Sequence, residues 1–154
     1  MFRIESLETT SKGRESQSGC QGVSDVAPRI FVVEDEKAFV DVYQKIFDII
    51  NFEIADWAYS GEEAVEKYRG RNKDSDLIIM DHRLPGMNGV ETMLQIIQIN
   101  PSAKILFVSA DEKARKLSLD NGAVGFLLKP FSLAEFIRAV EENTSGRAGP
   151  SRLI

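Results

Sequence analysis

"LIIMDHRLPGMNG", residues 77–89, is an apolar run of four that ends on a carboxylate, with a Pro-Gly turn soon after. A short unbroken apolar run reads as a strand covered on both faces, because alternation develops only where one face meets water. Asp81 therefore stands where a buried strand gives way to a loop. Alone it is ambiguous, since an Asx turn before "HRLPG" explains the carboxylate as well as chemistry does.

Three further runs of the same kind flank it: "IFVV" (30–33), "ILFV" (105–108) and "GFLL" (125–128). "FEIADWAY" (52–59) mixes polar and apolar residues, as an edge strand does. Helical periodicity fills the gaps. Residues 37–50 carry Phe39, Val42, Tyr43, Ile46 and Ile50 on one stripe. Residues 61–70 follow Ser60 and Glu63 at capping-box spacing. Residues 89–99 set Val90, Met93, Leu94 and Ile97 on one face and stop at Asn100-Pro101. Residues 133–143 follow Ser132 and Glu135, with Leu133, Phe136, Ile137 and Val140 directed inward. The helix at 111–120 has only Ala114, Leu117 and Leu119 as apolar residues and is expected to pack least firmly. Strict alternation of five βα units predicts an α/β fold: a doubly wound, five-stranded parallel sheet between two helical layers, with right-handed crossovers.

Composition narrows the class. A length of 154 residues suits one domain, and 43% hydrophobic with 28% charged residues is ordinary for a globular chain. A net charge of -5 argues against direct nucleic-acid binding. No apolar run approaches a membrane span, and the N-terminus has no apolar secretory core. The lone cysteine, Cys20, has no internal partner, which fits a cytoplasmic protein. Residues 1–27 are rich in small and polar residues and read as a flexible tail, with the domain at 28–144. The remaining 145–154 form a short C-terminal tail, with no room there for a second domain.

In such a sheet, ligands gather at the carboxyl ends of the strands. After the first strand stand Glu34, Asp35 and Glu36; after the third Asp81; after the fourth Ser109; after the fifth Lys129-Pro130. Carboxylates brought together repel one another unless a cation intervenes, and hard oxygen ligands suit Mg2+. A metal beside Asp81 makes its carboxylate a usable nucleophile toward a phosphoryl group. Lys129 offers a point charge and Ser109 a hydroxyl to the phosphoryl oxygens. Singly, Asp35 or Ser109 could be a helix cap and Lys129 a solvated lysine. Together at successive strand ends they form a constellation.

"VVEDE", "LIIMDHRLPGMNG", "ILFVSA" and "GAVGFLLKPF", in this order and spacing, make the chain resemble the response-regulator receiver domains of two-component signalling, of the chemotaxis type. The resemblance covers about residues 29–143. It implies the flavodoxin-like strand order 2-1-3-4-5. It implies that Asp81 is the phosphoacceptor for a sensor histidine kinase or phosphotransfer protein, a protein that takes part in its own phosphorylation and dephosphorylation without a separate catalytic domain. It implies Mg2+ held by Asp35, Asp81, Glu34 directly or through water, and the Arg83 backbone carbonyl. Ser109 becomes the switch hydroxyl, Phe126 the switch aromatic, Lys129 the phosphoryl-binding lysine, and Pro130 the residue after a cis peptide bond. Arg83 and Asp111 fall where side chains influence phosphoryl lifetime, and His82 is expected to be a passive neighbour. Output is expected through protein contact, to an effector or a homodimer, on the 111–143 face with its basic Lys113, Arg115 and Lys116.

Three other readings compete with this one. A flavodoxin-type FMN site needs a phosphate cradle in the first loop, where this chain has "EDEKA". An aspartate-nucleophile phosphatase needs a second Asp two residues after the first, where this chain has Arg83. An unphosphorylated scaffold shares the fold, but such degenerate receivers usually lack the acidic pair, the acceptor or the lysine.

Overall fold

Along each central strand, successive side chains point to opposite faces, and here both sets are apolar. Ile30, Val32, Leu77, Ile79, Leu106 and Val108 enter one core, and Phe31, Val33, Ile78, Met80, Ile105 and Phe107 the other. The computed structural model of the chain describes residues 26–144; the expected tails, with Cys20, lie outside the described residues except at their inner edge. The strands are β1 Arg29–Val33, β2 Glu53–Ala58, β3 Leu77–Met80, β4 Ile105–Ser109 and β5 Gly125–Leu128. The helices between and after them are α1 Lys37–Ile50, α2 Gly61–Arg71, α3 Gly89–Ile99, α4 Lys113–Asp120 and α5 Leu133–Glu142. The strands pair in parallel in the order β2-β1-β3-β4-β5. The order reverses between β1 and β3, so a crevice opens at their carboxyl ends.

Helical phase departs from the expected stripes in three places. In α1 the core takes Val40, Tyr43, Ile46 and Phe47, while Val42 is 48% exposed. In α3 Ile96 is buried and Leu94 faces out; in α5 Leu133 lies at the surface. The amphipathic stripes are wide enough to fit the sheet at two rotations, and packing against a twisted surface selects one. Strand β5 is half-buried along its whole length rather than covered on both faces, because it forms an edge of the sheet. Helix α4 buries only Ala114 and Ser118, in keeping with its weak apolar pattern.

Local signals set the ends. Asn51 closes α1 in the left-handed region at φ 62°, its N–H donating to the Phe47 carbonyl. Ser60 and Ser132 cap α2 and α5 by accepting from the N–H groups of Glu63 and Glu135. Asn88 and Glu91 form a reciprocal capping box on α3 that the sequence reading passed over. A side chain at Gly89 would meet the Asp81 carbonyl oxygen and His82 Cα, so glycine lets α3 begin directly against the acceptor loop.

The edge strand β2 carries a bulge, since Ile30 pairs with Ile54 and Phe31 with Asp56. Asp56 ties this edge to α2 through Arg71 at 2.7 Å and Lys67 at 3.3 Å. Burial works to raise the Asp56 carboxyl, yet Arg71, the Trp57 N–H, Asn72 and Lys67 together hold it below its ordinary value of 3.8. Asp56→Ala is therefore expected to cost about 1–2 kcal/mol at neutral pH, after allowance for solvent screening of Arg71. The native contribution is complete above the ordinary carboxylate value and is lost as pH falls below it. Urea unfolding of both proteins at neutral and strongly acidic pH measures this, the gap closing in acid.

Candidate functional site

Glu34 leaves β1 with its N–H donating to the Ala58 carbonyl at 3.0 Å, which holds its side chain over the sheet's edge. The side chain is 1% exposed. Its Oε1 accepts from the Glu36 N–H at 3.1 Å and its Oε2 from Lys129 Nζ at 3.0 Å. Asp35, next along, is exposed at the mouth. Asp81 follows β3, and its N–H still donates to the Val33 carbonyl at 3.1 Å, so the ladder itself sets the carboxylate beside Glu34. Asp81 Oδ1 accepts from the His82 N–H at 2.7 Å and the Arg83 N–H at 3.4 Å. Its Oδ2 lies 3.8 Å from Lys129 Nζ.

Ser109 ends β4 fully buried, its Oγ accepting from the Asp111 N–H at 3.1 Å. Lys129 follows β5, fixed by its N–H donating to the Ser109 carbonyl at 2.9 Å, and the Lys129–Pro130 peptide is cis. The four strand ends thus meet around one cleft of about 730 Å³, whose walls include Asp35, Phe39, Asp81, Arg83, Lys129 and Phe131. Carboxylate oxygens of Glu34, Asp35 and Asp81 lie within 4.8 Å of one another. Burial pushes the Glu34 carboxyl up to about 7 from its ordinary 4.5; the Glu36 N–H and Lys129 pull it down, and Asp81 adds repulsion. Four carboxylates, Glu34, Asp35, Glu36 and Asp81, against the cations Lys129 and Arg83 leave the cleft short of positive charge, and the all-oxygen donors of Glu34, Asp35 and Asp81 suit a hard divalent cation.

Residues 30–141 match the family model of the response regulator receiver domain. The chain belongs to the response-regulator receiver family. It is 32% identical to the chemotaxis protein CheY of Thermotoga maritima over 116 residues, which is 74% of this chain and 95% of that protein. It is 30% identical to the CheY of Halobacterium salinarum over 119 residues, covering 76% and 97%. Among solved structures, it superposes with a TM-score of 0.73 at 28% identity on a chain of the CheX–CheY–BeF3–Mg2+ complex from Borrelia burgdorferi, covering 79% of this chain and 94% of that one. The response regulator domain of Thermotoga maritima CheB gives a TM-score of 0.68 at 28% identity, covering 81% of this chain and 100% of that one.

Other residues of this receiver stand as follows. Arg83 extends over the mouth with Nε 3.8 Å from Asp111 Oδ2, while Asp111 Oδ1 accepts from the Lys113 N–H at the start of α4. The His82 ring packs beside Phe107, with centroids 6.4 Å apart. Phe126 packs at the margin of one core, and the Arg115 guanidinium lies 4.8 Å over its ring, itself held at 2.7 Å by Glu112. Two features escaped the sequence reading. Phe39, taken there only as a core residue, lies beneath Lys129 Nζ at 3.8 Å from its ring centroid. Asp35 lies before the helix begins at Lys37, so no helical spacing in the sequence joined Phe39 to the acidic residues or to Lys129. The Tyr43 hydroxyl is buried with no hydrogen-bond partner among the described residues. Burial raises its pKa, and the charges of Glu34 and Asp81 raise it further, so the phenol stays neutral behind the cleft. Among the described residues no helix is long and apolar enough to cross a membrane.

Proposed function

We propose that this receiver accepts a phosphoryl group on Asp81 from a sensor histidine kinase or phosphotransfer protein, with Mg2+ as cofactor, in the cytoplasm. The observation that carries the reading is the Lys129 ammonium, its side chain 11% exposed, 3.0 Å from Glu34 and 3.8 Å from Asp81, at the meeting point of four strand ends. An Asp81 oxygen attacks phosphorus in line with the departing group. The bond from phosphorus to Asp81 forms as that to the donor's imidazole nitrogen breaks, and the nitrogen keeps the bonding pair and is protonated. Lys129 holds one phosphoryl oxygen. Ser109 offers a second its hydroxyl hydrogen, which its bond from the Asp111 N–H does not use. Glu34, Asp35, Asp81 and the Arg83 carbonyl would hold Mg2+, which when bound neutralises charge on the phosphoryl oxygens and the carboxylates. Positioning and neutralisation are what such a loose transition state asks of a protein.

Movement of Ser109 toward the phosphoryl group and inward rotation of Phe126 would then alter the 111–143 face. The weak burial of α4 supports this, because a surface that must shift is held by few buried contacts. Leu117, Leu119, Val124 and Leu133 are exposed on α4, before β5 and on α5, which suits docking of an effector or a second copy. Incubation with acetyl phosphate and Mg2+, followed by intact-mass measurement, tests the reading: an acid-stable, hydroxylamine-labile phosphoryl adduct is expected. Its absence overturns the reading in favour of an unphosphorylated scaffold.

Mg2+ binding is expected to depend on pH through Glu34. Below about 7 its carboxyl holds a proton that a cation must displace. Apparent affinity should fall about tenfold per pH unit below neutrality and level off above it. In the unliganded protein the same raised value means that stability declines as pH rises from 4.5 to about 7, because the folded state binds the proton more tightly than the unfolded chain. Calorimetric Mg2+ titrations either side of neutrality, repeated on Glu34→Gln, check this; the variant should lose the slope.

A further inference from the structure

We infer that Phe39 is a positioning residue for phosphoryl transfer, its ring holding the Lys129 ammonium at the cleft by a cation–π contact; the inference rests on the phosphoacceptor reading of Asp81. Lys129 is 11% exposed, and its Nζ meets three neighbours: Glu34 at 3.0 Å, Asp81 at 3.8 Å and the Phe39 centroid at 3.8 Å. A lysine is a point charge on a flexible four-carbon stem, so its place depends on what surrounds the head. The two carboxylates are the same groups that a divalent cation would draw upon. Once they share their charge with a cation, their pull on Lys129 weakens. The ring is the one neighbour of the three for which a cation among the carboxylates does not compete.

The ring is itself held in place. Phe39 packs against Tyr43 at 6.4 Å, Tyr43 stacks on Phe136 at 5.2 Å and 6°, and Phe136 stacks on Phe131 at 5.3 Å. Phe131 is two residues beyond Lys129, so the aromatic row runs from beneath the ammonium back to the lysine's own loop. Phe39 and Phe131 both line the cleft. An aromatic face in this place attracts the cation electrostatically, whereas an aliphatic side chain of similar bulk only excludes water.

Four proteins test this: wild type, Phe39→Tyr, Phe39→Leu, and a protein carrying pentafluorophenylalanine at position 39, which keeps the shape and reverses the ring's charge distribution. In wild type and Phe39→Tyr the Lys129 ε-methylene proton resonances should be shifted upfield by the ring, and Phe39→Leu should abolish that shift. The rate of phosphorylation by acetyl phosphate at saturating Mg2+ should fall about three- to tenfold in the leucine and pentafluoro proteins and stay near wild type in Phe39→Tyr. The thermal midpoint of the pentafluoro protein should match wild type, which separates positioning from folding. Absence of the upfield shift in wild type overturns the contact. Equal rates in all four proteins overturn the positioning role while leaving Asp81 as acceptor. No aspartyl phosphate on wild type removes the acceptor reading and the role of Phe39 with it.

Discussion

Asp81→Asn is expected to take up no phosphoryl group from acetyl phosphate and Mg2+ under conditions that phosphorylate wild type. The amide is nearly isosteric and its oxygen still accepts the His82 and Arg83 N–H groups that now bind Oδ1 at 2.7 and 3.4 Å. Geometry is therefore kept while the nucleophilic carboxylate is lost. The same change removes one of three carboxylates whose oxygens lie within 4.8 Å, so Mg2+ affinity should fall as well. Stability should move the other way. Asp81 adds to the repulsion that raises Glu34, and neutralising it relieves that repulsion. Intact-mass spectra and thermal midpoints together check the pair of outcomes: no adduct, with a midpoint equal to or above wild type. A full adduct on the variant would place the acceptor elsewhere.

Lys129→Ala should slow phosphorylation by about 10²- to 10³-fold, the usual scale for removing one preorganised charge from a transition state in a partly dry site. Its cost in stability depends on pH. Lys129 pulls the Glu34 carboxyl down from where burial alone would put it, so without the ammonium that value rises further above about 7. A carboxyl whose folded value is raised loses stability as pH climbs through that value. The variant should thus be weakest relative to wild type in mild alkali and converge with it in mild acid, where Glu34 is protonated in both. Glu34 is 1% exposed, so water does little to soften the charge left behind. Guanidinium unfolding at several pH values, beside phosphorylation rates, separates the electrostatic loss from the loss of chemistry; a gap that widens in acid would contradict the Glu34 assignment.

Much of this site was legible before folding was considered. Short unbroken apolar runs bounded by turn signals read as strands of a parallel sheet, and each of the central three, which are covered on both faces, ends on a polar group that the sheet then delivers to one rim. Asp81 is placed by four consecutive apolar residues and a parallel neighbour whose carbonyl receives its N–H. Ser109 and Lys129 follow in the same way, since the Lys129 N–H reaches the Ser109 carbonyl across the β4–β5 pair. Period-two order in a parallel sheet leaves little freedom, so position in sequence converts directly to position on the rim.

Helices gave up less. α1 offers Phe39, Val40, Val42, Tyr43, Ile46, Phe47, Ile49 and Ile50, enough apolar residues for more than one inward face. The sheet chose the face with Val40 and Phe47, and the same rotation carried Val42 outward and Phe39 to the cleft beneath Lys129. Long-range pairing was equally hidden. Nothing local joins Lys129 to Glu34, 95 residues away, or sets Arg115 over Phe126. The amino-acid order settled the strands, their parallel alternation and which groups reach the rim, because those follow from a fixed two-residue period. How the groups meet was left to folding: the Glu34–Lys129 pair and the ring beneath the ammonium. Helical phase and ion pairing depend on what stands opposite, and only the assembled sheet supplies it.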